Sequence, residues 1–369
     1  MKNIAVLTSS RADYGIYKPL LKALKEHKEC QLSVIAFGTH LSPFHGHTVN
    51  QILEDGFSVD YRINSLLIND DANSISTAVA LTSLKFAEFW QNHAQDFDAV
   101  FCLGDRYEMF AAVTSGIPYG IKFAHLHGGE TTLGAIDNIY RHAISLASHW
   151  HFTAHDSFSE RIAQIIGSRD RVITVGALGL DNLENLCLLS KEEFFKKWNI
   201  DINIPSILIT VHPETVDIKH MEQRNDALIN ALNQLVKKYQ LIITMPNADT
   251  FGTELRRRIL TFREKYVNEL KLVENFGTQS YFTCMKYSSF LLGNTSSGII
   301  EAASFQKYVI NLGDRQKGRM SGDNVVHVPF GEKLILNAVG QIEKKQQYEG
   351  GNIYYQGGAV KKILKEIFR

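Results

Sequence analysis

Three acidic side chains lie where predicted strands in the first half of the chain end, and carboxyl groups at such places can do acid–base chemistry. Asp105 comes directly after the apolar run AVFCL, and Glu130 follows the strand-like segment IKFAHL in the stretch HGGE. Asp137 lies a few residues further along, just before a predicted helix that carries Arg141. Neighbouring carboxyl groups raise one another's pKa, so that one of them can serve as a general acid or base near neutral pH. We therefore predict catalytic roles for these three acids, against the alternative that Asp105 and Asp137 only cap helices.

A histidine occupies the matching position in the second half of the chain. His212 stands in VHPET, directly after the first predicted strand of that half. The carboxyl ends of parallel strands form the ligand-binding edge of a sheet, so His212 is expected to face a ligand from a second domain. The competing interpretation is a histidine with a structural role only.

The loop SSRADYG at residues 9–15 follows the first predicted strand and could hold an anion. Small residues that open a helix expose backbone N–H groups, and the helix dipole favours negative charge at that end. Arg11 would add two parallel donors for a phosphate group. The loop is neither GxGxxG nor a Walker A sequence, which argues against a classical NAD site and a P-loop ATPase. A plainly capped helix with a solvated arginine is the alternative.

The sequence GNTSSG at residues 293–298 forms a second candidate anion site, in the opposite half of the chain. A predicted strand ends there and a helix begins, so backbone N–H groups and hydroxyl side chains surround one point. Glu301, inside that predicted helix, could accept both hydroxyls of a ribose. Asn247 in MPNADTFG and Arg315 in NLGDRQKGR follow neighbouring predicted strands. Together these residues predict a nucleotide as the ligand.

The histidines do not form a recognisable metal site. The chain has 14 of them, with close pairs at residues 45/47, 125/127 and 149/151, but it has neither an HExxH arrangement nor a Cys/His zinc spacing. The sequence therefore predicts no metal.

Alternating strands and helices must position these residues. Short β-branched runs predict strands at residues 4–8, 32–37, 99–103, 121–125, 149–153 and 172–175, with helices at 14–25, 75–93, 107–115 and 157–166. The rhythm restarts near Lys191, with strands at 207–211, 241–244, 270–273, 290–292 and 308–311 and helices at 223–239, 254–266 and 297–305. Alternation of this kind is typical of parallel sheets covered by helices on both faces.

The predicted fold is therefore α/β, with two Rossmann-like doubly wound domains that face each other across a cleft. We expect an N-terminal domain over residues 1–178 and a nucleotide-binding C-terminal domain over 179–355. A terminal helix within 356–369 is expected to pack back on the first domain. Right-handed crossovers place the loops after the strands along one edge of each sheet, where ligands bind.

Length and composition exclude several other classes of protein. The 369 residues exceed one ordinary domain. The 39 basic residues balance 39 acidic ones, which argues against a general nucleic-acid binder or a polybasic membrane protein. No apolar stretch approaches the length of a membrane span or signal peptide. Four widely spaced cysteines predict buried thiols in a reducing compartment, so we expect a cytoplasmic protein.

Taken together, the motifs resemble those of the hydrolysing UDP-N-acetylglucosamine 2-epimerases of sialic acid biosynthesis. The matching stretches keep the family order between residues 4 and 328: SSRADYG, GDRYEMF, HGGETTLGAIDNIYRHAIS, HPET, MPNADTFGTE, GNTSSGIIEA and INLGDRQKGR. The resemblance implies a GT-B architecture with UDP bound between two Rossmann-like domains, and a homodimer or a dimer of dimers. It also implies a reaction that requires neither a redox cofactor nor a metal.

The implied reaction begins with loss of UDP from C1 and of the proton from C2, which gives a 2-acetamidoglucal. Water then adds with inverted configuration at C2 and releases N-acetylmannosamine for sialic acid and capsule biosynthesis. On this resemblance Asp105, Glu130 and Asp137 are the catalytic carboxylates, and His212 stabilises or protonates the departing UDP. The residues matched to UDP-sugar binding are Arg11, Arg106, Asn247, Thr295, Ser296, Gly298, Glu301 and Arg315.

The sequence departs from the family pattern at two places. Ile16 stands where many relatives have a lysine beside the arginine loop, and Asn138 follows Asp137 where relatives often have a second acid. The contacts to the diphosphate and the division of acid and base roles are therefore left open.

Three alternatives differ in substrate or in class. A hydrolysing epimerase of UDP-2,4-diacetamido-2,4,6-trideoxyglucose, in legionaminic acid synthesis, would share the reacting C1–C2 unit. A non-hydrolysing epimerase is disfavoured by the RADYG and GGE stretches, since that branch resembles RPE and EAG there. A GT-B glycosyltransferase or a UDP-sugar-binding protein needs no trio of strand-end carboxylates, and Asp105→Asn would leave binding by such a protein nearly intact.

Overall fold

The computed structural model describes residues 1–67, 69, 71–133, 136–214, 218–245 and 252–369. The chain divides into two compact units. The first comprises Met1–Glu130, Asp137–Asn185 and Tyr354–Arg369, and the second comprises Thr131–Ile136 and Leu186–Ile353. Among the helices of the described part, none is both long and apolar enough to cross a bilayer.

The first unit is built on seven parallel strands. They are β1 (Lys2–Thr8), β2 (Cys30–Phe37), β3 (Tyr61–Ile63), β4 (Ala99–Leu103), β5 (Phe123–Leu126), β6 (Trp150–Thr153) and β7 (Val172–Thr174). They lie in the order β3-β2-β1-β4-β5-β6-β7, so the chain starts inside the sheet and builds outward to both edges. The helices of this unit are α1 (Arg11–Glu26), α2 (Val49–Glu54), α3 (Ala72–His93), α4 (Tyr107–Gly116), α5 (Asp137–Leu146), α6 (Asp156–Ile166), α7 (Leu178–Asn185) and, near the end of the chain, α14 (Ala359–Ile367).

Burial on both faces explains why these strands form a parallel sheet. All residues of β4 are buried, and such a continuous apolar run suits a sheet that helices cover on two sides. One face packs against α1, which buries Tyr14 and Leu20 completely. The other face packs against α3 and α4, with Trp90 in its core. The terminal helix α14 buries Ile363 and Ile367 in the same core as α1.

The second unit repeats this plan with six parallel strands. They are β8 (Ser206–Thr210), β9 (Gln240–Thr244), β10 (Leu270–Val273), β11 (Phe290–Gly293), β12 (Val309–Leu312) and β13 (Val325–Val328). Their order is β10-β9-β8-β11-β12-β13. The helices are α8 (Lys191–Trp198), α9 (Met221–Leu235), α10 (Gly252–Lys265), α11 (Gly277–Tyr287), α12 (Ser296–Ile300) and α13 (Glu332–Ile342). The core joins Ile207 and Leu241 of the sheet to Leu232 of α9 and Ile335 of α13.

The division into units differs from the expected bounds at three places. The first unit extends to Asn185 instead of residue 178, because α7 packs against α1 and α14. The return to the first unit begins at Tyr354, whose side chain is fully buried and whose carbonyl accepts from Ala177 N. The segment Thr131–Ile136 counts with the second unit, where Leu133 N donates to the carbonyl of Lys317.

The helix predicted over residues 297–305 is wrong in its length. The α-helix α12 ends at Ile300, and a separate 3₁₀ turn covers Ala302–Phe305. Glu301 therefore lies at the C-terminal end of α12, between these two elements, and not inside a continuous helix.

Candidate functional site

Arg141 ties together the loops that follow β4 and β5. Its guanidinium donates to the Asp105 carboxylate through Nη2 and to the backbone carbonyl of Glu130 through Nη1, the latter at 3.0 Å. Arg141 belongs to α5 and is only 2% exposed. A buried guanidinium with carboxylate and carbonyl partners is a fixed anchor, because its planar fork holds two acceptors at once. Arg141 thus links the Asp105 carboxylate to the backbone of Glu130, at the ends of the neighbouring parallel strands β4 and β5.

Glu130 lies beneath a histidine that the sequence analysis did not select. Its Oε1 is 2.8 Å from Nδ1 of His127, and its side chain is 2% exposed. His127 has a left-handed backbone with a φ of 62°. Gly129 also has positive φ, and a Cβ there would meet the carbonyl oxygen of Phe158 at 2.4 Å. The tight HGGE turn therefore turns the Glu130 carboxylate inward, against the His127 ring.

The partners shown for these two acids differ from the expected ones. The prediction invoked neighbouring carboxyl groups that act on each other, whereas the structure pairs Asp105 with Arg141 and Glu130 with His127. Asp137 opens α5 and is partly exposed, one helical turn before Arg141. The signal that could have found Arg141 is its spacing of four residues from Asp137, which places both on one side of a helix.

His125 braces the backbone beside Asp105. Its Nε2 donates to the carbonyl of Gly104 at 2.9 Å, and its Nδ1 lies 3.0 Å from the Ser145 hydroxyl. Burial lowers the pKa of His125 to about 3, so the ring is neutral at pH 7. This histidine fixes the turn that presents Asp105 and is shielded from any ligand by its own burial.

At the N-terminus of α1 the structure corrects part of the predicted anion site. The Asp13 carboxylate accepts hydrogen bonds from the backbone N–H groups of Ser9 and Ser10, at 2.9 and 3.1 Å, and from the Ser9 hydroxyl. Burial alone would raise the pKa of Asp13, but hydrogen bonding and charge from His40, with further hydrogen bonds from Thr8 and Ser9, lower it overall. The protein's own carboxylate therefore uses donors that were expected to meet a phosphate. Arg11 is the first residue of α1 and is partly buried.

Arg106 is held in place by an acid on the next helix. Its Nε and Nη2 donate to the two carboxylate oxygens of Glu108, at 3.1 and 3.0 Å. Glu108 lies in the first turn of α4 and is 1% exposed, whereas the Arg106 side chain is 29% exposed. The pair is bidentate, so Glu108 orients the Arg106 guanidinium at the carboxyl end of β4. Sequence reasoning missed Glu108, although an acid two residues after an arginine was visible.

In the second unit, Asn294 holds the loop that carries His212. The side-chain amide accepts from His212 N at 2.7 Å and donates to His212 O at 2.8 Å. The carbonyl of Asn294 accepts from Gln316 Nε2 at 2.9 Å and from Arg315 Nη1 at 3.3 Å. His212 follows β8 and Asn294 follows its neighbour β11. The predicted residues His212 and Arg315 thus meet around one buried asparagine, which we call the Asn294 cluster.

Glu214 extends the Asn294 cluster and was also missed. Its Oε1 accepts from the backbone N–H groups of Asp314 and Arg315, at 2.5 and 3.0 Å, and its Oε2 lies 3.1 Å from Arg224 Nη1. A Cβ at Gly313 would come within 2.1 Å of the Glu214 carboxylate, so glycine is required there. Glu214 fixes the backbone from which Arg315 projects.

The GNTSSG stretch forms the turn into α12. The Thr295 hydroxyl accepts from Ser297 N at 3.4 Å and caps the helix, whose first residue is Ser296. A Cβ on Gly298 would meet Val309 at 3.0 Å. Close packing against β12 therefore explains Gly298 without any ligand contact. Asn247 lies outside the described residues.

A half-buried tyrosine of α11, Tyr281, lies beneath this turn. Burial raises the pKa of Tyr281 to about 12, although hydrogen bonds with Ser297 and Thr210 act in the opposite direction. The negative charge of Glu301 contributes to the same increase, which places this acid near the Tyr281 hydroxyl. Tyr281 was not found by sequence reasoning, because nothing in its local sequence marks it.

Among the described residues, no three His, Cys, Asp or Glu side chains are grouped as a metal site would need. The residues around Arg141 in the first unit suit acid–base chemistry. The Asn294 cluster and the turn into α12 in the second unit suit anion binding. Carboxylates and a histidine can transfer protons, and the buried guanidinium of Arg141 holds the Asp105 carboxylate in place. Arg315, hydroxyl groups and backbone N–H groups suit a phosphate.

Comparison with known proteins supplies the family. A family model described as UDP-N-acetylglucosamine 2-epimerase matches residues 22–368. The chain is 34% identical over 325 residues to the GDP/UDP-N,N'-diacetylbacillosamine 2-epimerase (hydrolyzing) of Campylobacter jejuni, an alignment that covers 88% of this chain and 84% of the relative. It is also 34% identical over 381 residues to the polysialic acid biosynthesis protein P7 of Escherichia coli, covering 100% of this chain and 95% of that protein.

A solved structure shows the fold. The UDP-GlcNAc 2-epimerase of Neisseria meningitidis, determined bound to UDP-GlcNAc, aligns with a TM-score of 0.84 and 21% identity over 100% of both chains. The predicted α/β class and the GT-B type of fold are confirmed. With the family match over residues 22–368 and two relatives at 34% identity, the chain belongs to the UDP-N-acetylglucosamine 2-epimerase family.

Proposed function

We propose that the protein is a hydrolysing 2-epimerase that converts UDP-N-acetylglucosamine and water to N-acetylmannosamine and UDP. The observation that carries this proposal is that one buried guanidinium, that of Arg141, binds both the Asp105 carboxylate and the backbone carbonyl of Glu130. A glycosyltransferase or a binding protein has no need for two acids fixed in this way. The family model that matches the chain is one of epimerases, and it gives no support to a glycosyltransferase or a binding protein.

The chemistry requires a base and an acid close to the sugar ring. The proton at C2 is weakly acidic, so its removal needs a positioned base. Its electron pair forms the C1–C2 double bond while the C1–O bond to UDP breaks. Water then gives a hydroxyl group to C1, and a proton returns to C2 on the opposite face. In this proposal Asp105, Glu130 and Asp137 share these proton transfers.

The second unit supplies the groups that stabilise the departing UDP. Departure concentrates negative charge on the diphosphate, and fixed donors lower the energy of that state. Support comes from the Asn294 cluster, in which His212 and Arg315 are fixed by hydrogen bonds to Asn294. We assign the diphosphate to His212 and Arg315 with the turn into α12, and the ribose to Glu301. The remaining binding residues in the proposal are Arg11, Arg106, Asn247, Thr295 and Ser296.

A second substrate has support of the same kind. The Campylobacter jejuni relative is named for UDP-N,N'-diacetylbacillosamine and is as similar to this chain, at 34% identity, as the Escherichia coli relative named for polysialic acid biosynthesis. The 2,4-diacetamido sugar shares the C1–C2 unit and differs at C4 and C6. Both substrates would feed surface-sugar biosynthesis, so the proposal covers a UDP-2-acetamido sugar, with UDP-N-acetylglucosamine tested first.

Proton NMR of the enzyme in D2O decides between these substrates. We expect UDP-N-acetylglucosamine to give UDP and N-acetylmannosamine with deuterium at C2, without added metal or NAD. Turnover of the 2,4-diacetamido sugar alone would move the assignment to the second substrate. Silence with both sugars would contradict the hydrolysing epimerase. Asp105→Asn, tested in parallel, controls for release of UDP by contaminating hydrolases.

Two further properties belong to the same proposal. The enzyme acts in the cytoplasm, where nucleotide sugars are substrates for biosynthesis, and it forms a homodimer. Support for self-association comes from α5, which exposes Ile139 and Leu146 at 68% and 62% of their surface. These residues are seven apart and therefore lie on the same face of the helix.

A further inference from the structure

His127 has one ring nitrogen committed and the other without a partner. Nδ1 lies 2.8 Å from the Glu130 carboxylate, whereas Nε2 is buried and has no hydrogen-bond partner among the residues that the structure describes. Buried polar atoms are paired in the large majority of cases, and an exception requires an explanation. A bound substrate that places one of its hydrogens at Nε2 would explain this exception. His127 follows β5 and therefore lies at the ligand-binding edge of its sheet.

The hydrogen bond to Glu130 decides which nitrogen of His127 can act as a base. An ionised carboxylate only accepts hydrogen bonds, so Nδ1 must carry the hydrogen that it donates. The lone pair of the neutral ring is then on Nε2. Glu130 is the more deeply buried of the two, with its side chain 2% exposed against 11% for His127. The carboxylate is therefore the more enclosed partner of this pair.

The backbone of His127 supports the same conclusion. Its φ of 62° is a left-handed conformation that is uncommon outside glycine, although histidine adopts it more often than most residues. A glycine at this position would adopt the same backbone conformation without strain, and it would fit within the turn. Backbone strain of this kind is typical of functional sites, where a particular side chain is required at that position. Arg161 fixes the turn as well, since its Nη1 donates to the carbonyl of Gly129 at 2.6 Å.

We infer that His127 is the general base that removes the C2 proton, and that Glu130 is a positioning residue that fixes the tautomer of His127. This inference rests on the proposed epimerase reaction and revises the role of Glu130 within it. The Nε2 lone pair takes the proton from C2, the C2–H electron pair forms the C1–C2 double bond, and the C1–O electron pair leaves with UDP. The Glu130 carboxylate stays ionised throughout and balances the positive charge of the imidazolium that forms.

Removal of the imidazole tests the assignment directly. His127→Gly suits the observed backbone, so the turn should persist while the ring is lost. We expect kcat to fall by about 10²–10³-fold, with KM and UDP affinity changed by less than about threefold. Added free imidazole should restore at least about tenfold of the lost turnover, because it fills the space of the missing ring. His127→Gln, which keeps polar volume, should be as slow and should not respond to imidazole.

Glu130→Gln separates positioning from direct catalysis. We expect kcat to fall by about 10–10²-fold without imidazole rescue, and the double variant His127→Gly/Glu130→Gln to be no slower than His127→Gly alone. Exposed Glu160→Gln, which lies on α6, serves as the matched control and should retain wild-type turnover.

Two results would overturn the inference. One is a His127→Gly enzyme that retains turnover within about threefold of wild type; the other is a double variant that loses the product of both single effects, as independent groups would. UDP affinity near that of wild type shows that each variant is folded. Wild-type enzyme that is inactive on both UDP sugars would instead refute the proposed function, and that outcome is visible before any variant is made.

Discussion

Asn294 holds the main chain of His212 with both atoms of its side-chain amide. Oδ1 accepts from His212 N at 2.7 Å, and Nδ2 donates to His212 O at 2.8 Å. The asparagine is completely buried. The strands β8 and β11 stop pairing at Thr210 and Gly293. Just beyond them, the Asn294 side chain takes the place of the backbone hydrogen bonds that join neighbouring strands. The position of the His212 loop therefore depends on one side chain from another part of the chain.

Asn294→Ala should destabilise the second unit and slow the enzyme. It leaves the N–H and C=O groups of His212 buried without their partner, at a cost of about 1–3 kcal/mol for each unsatisfied group. Urea unfolding followed by fluorescence should show a lower midpoint, and kcat should fall because His212 is no longer fixed. Exposed Asn203→Ala is the control and should change stability by less than about 0.5 kcal/mol. An unchanged midpoint in Asn294→Ala would contradict the role of this contact.

Asp105→Asn should abolish most turnover while UDP still binds. The amide keeps the size of the side chain but removes the charge that Arg141 neutralises and the capacity to exchange a proton. A loss of about 10²–10⁴-fold in kcat is expected for a group in acid–base catalysis. Calorimetric titration should give a UDP affinity close to that of wild type. Asp96→Asn on the surface of the first unit is the control, and near-wild-type turnover in Asp105→Asn would remove this residue from catalysis.

Strand positions and strand-end residues could be predicted from the sequence, because burial on two faces leaves continuous apolar runs. The predicted and observed bounds are identical for β4 and β10, at residues 99–103 and 270–273. The short edge strands β3 and β13 were missed. Each is only three or four residues long and is interrupted by an exposed polar residue, Arg62 in β3 and His327 in β13, so the apolar run is too short to be recognised.

Contacts between distant residues could not be predicted in the same way. The sequence placed Asp105, Glu130 and His212 after strands, which is where they lie. It did not reveal that Arg141 binds Asp105 or that Asn294 binds His212, because those pairs are 36 and 82 residues apart. The error at α1 has a different origin, because the residues concerned are close together in the sequence. A capping box of Ser10 with Asp13 was present in the sequence and consumes donors that were assigned to a ligand.

Ser296→Ala should weaken UDP binding more than it changes the proton chemistry. Ser296 is the first residue of α12, where a hydroxyl group can donate to a phosphate oxygen. Loss of one such hydrogen bond should raise the dissociation constant of UDP about three- to tenfold. Exposed Ser304→Ala in the following 3₁₀ turn is the control. Equal UDP affinities for the two variants would remove Ser296 from the binding site.

Charge on the exposed face of α5 should dissociate the proposed dimer. Ile139→Glu and Leu146→Glu each place a carboxylate where an apolar side chain is exposed. If a second copy covers this face, burial of that charge is costly and the protein should sediment as a monomer. Val267→Glu, on a second-unit residue of similar exposure at 60%, should leave the sedimentation coefficient unchanged. A dimer that survives both α5 substitutions would place the interface elsewhere.

Two buried histidines should make the protein less stable as the pH falls below neutral. His125 on β5 and His151 on β6 are paired in register in the sheet. Burial lowers the pKa of His125 to about 3, and burial with the charge of His149 lowers that of His151 to about 4, from 6.5 in both cases. Below pH 6.5 the unfolded chain therefore binds protons that the folded protein does not. The free energy of unfolding should fall as pH falls from 6.5 toward these values, and neither histidine contributes a slope above 6.5.

The magnitude of this slope can be isolated at His151. Each histidine contributes about 1.4 kcal/mol per pH unit while only its unfolded form is protonated, or on the order of 2 kcal/mol between pH 6.5 and 5. His151→Leu replaces the ring by an apolar side chain of similar size and should reduce the slope by that amount. Exposed His220→Gln should leave the slope as in wild type. Urea unfolding at pH 7, 6 and 5 provides the comparison. A slope in His151→Leu equal to that of wild type would mean that His151 is protonated in the folded protein, because only a group whose proton binding differs between the two states contributes to it.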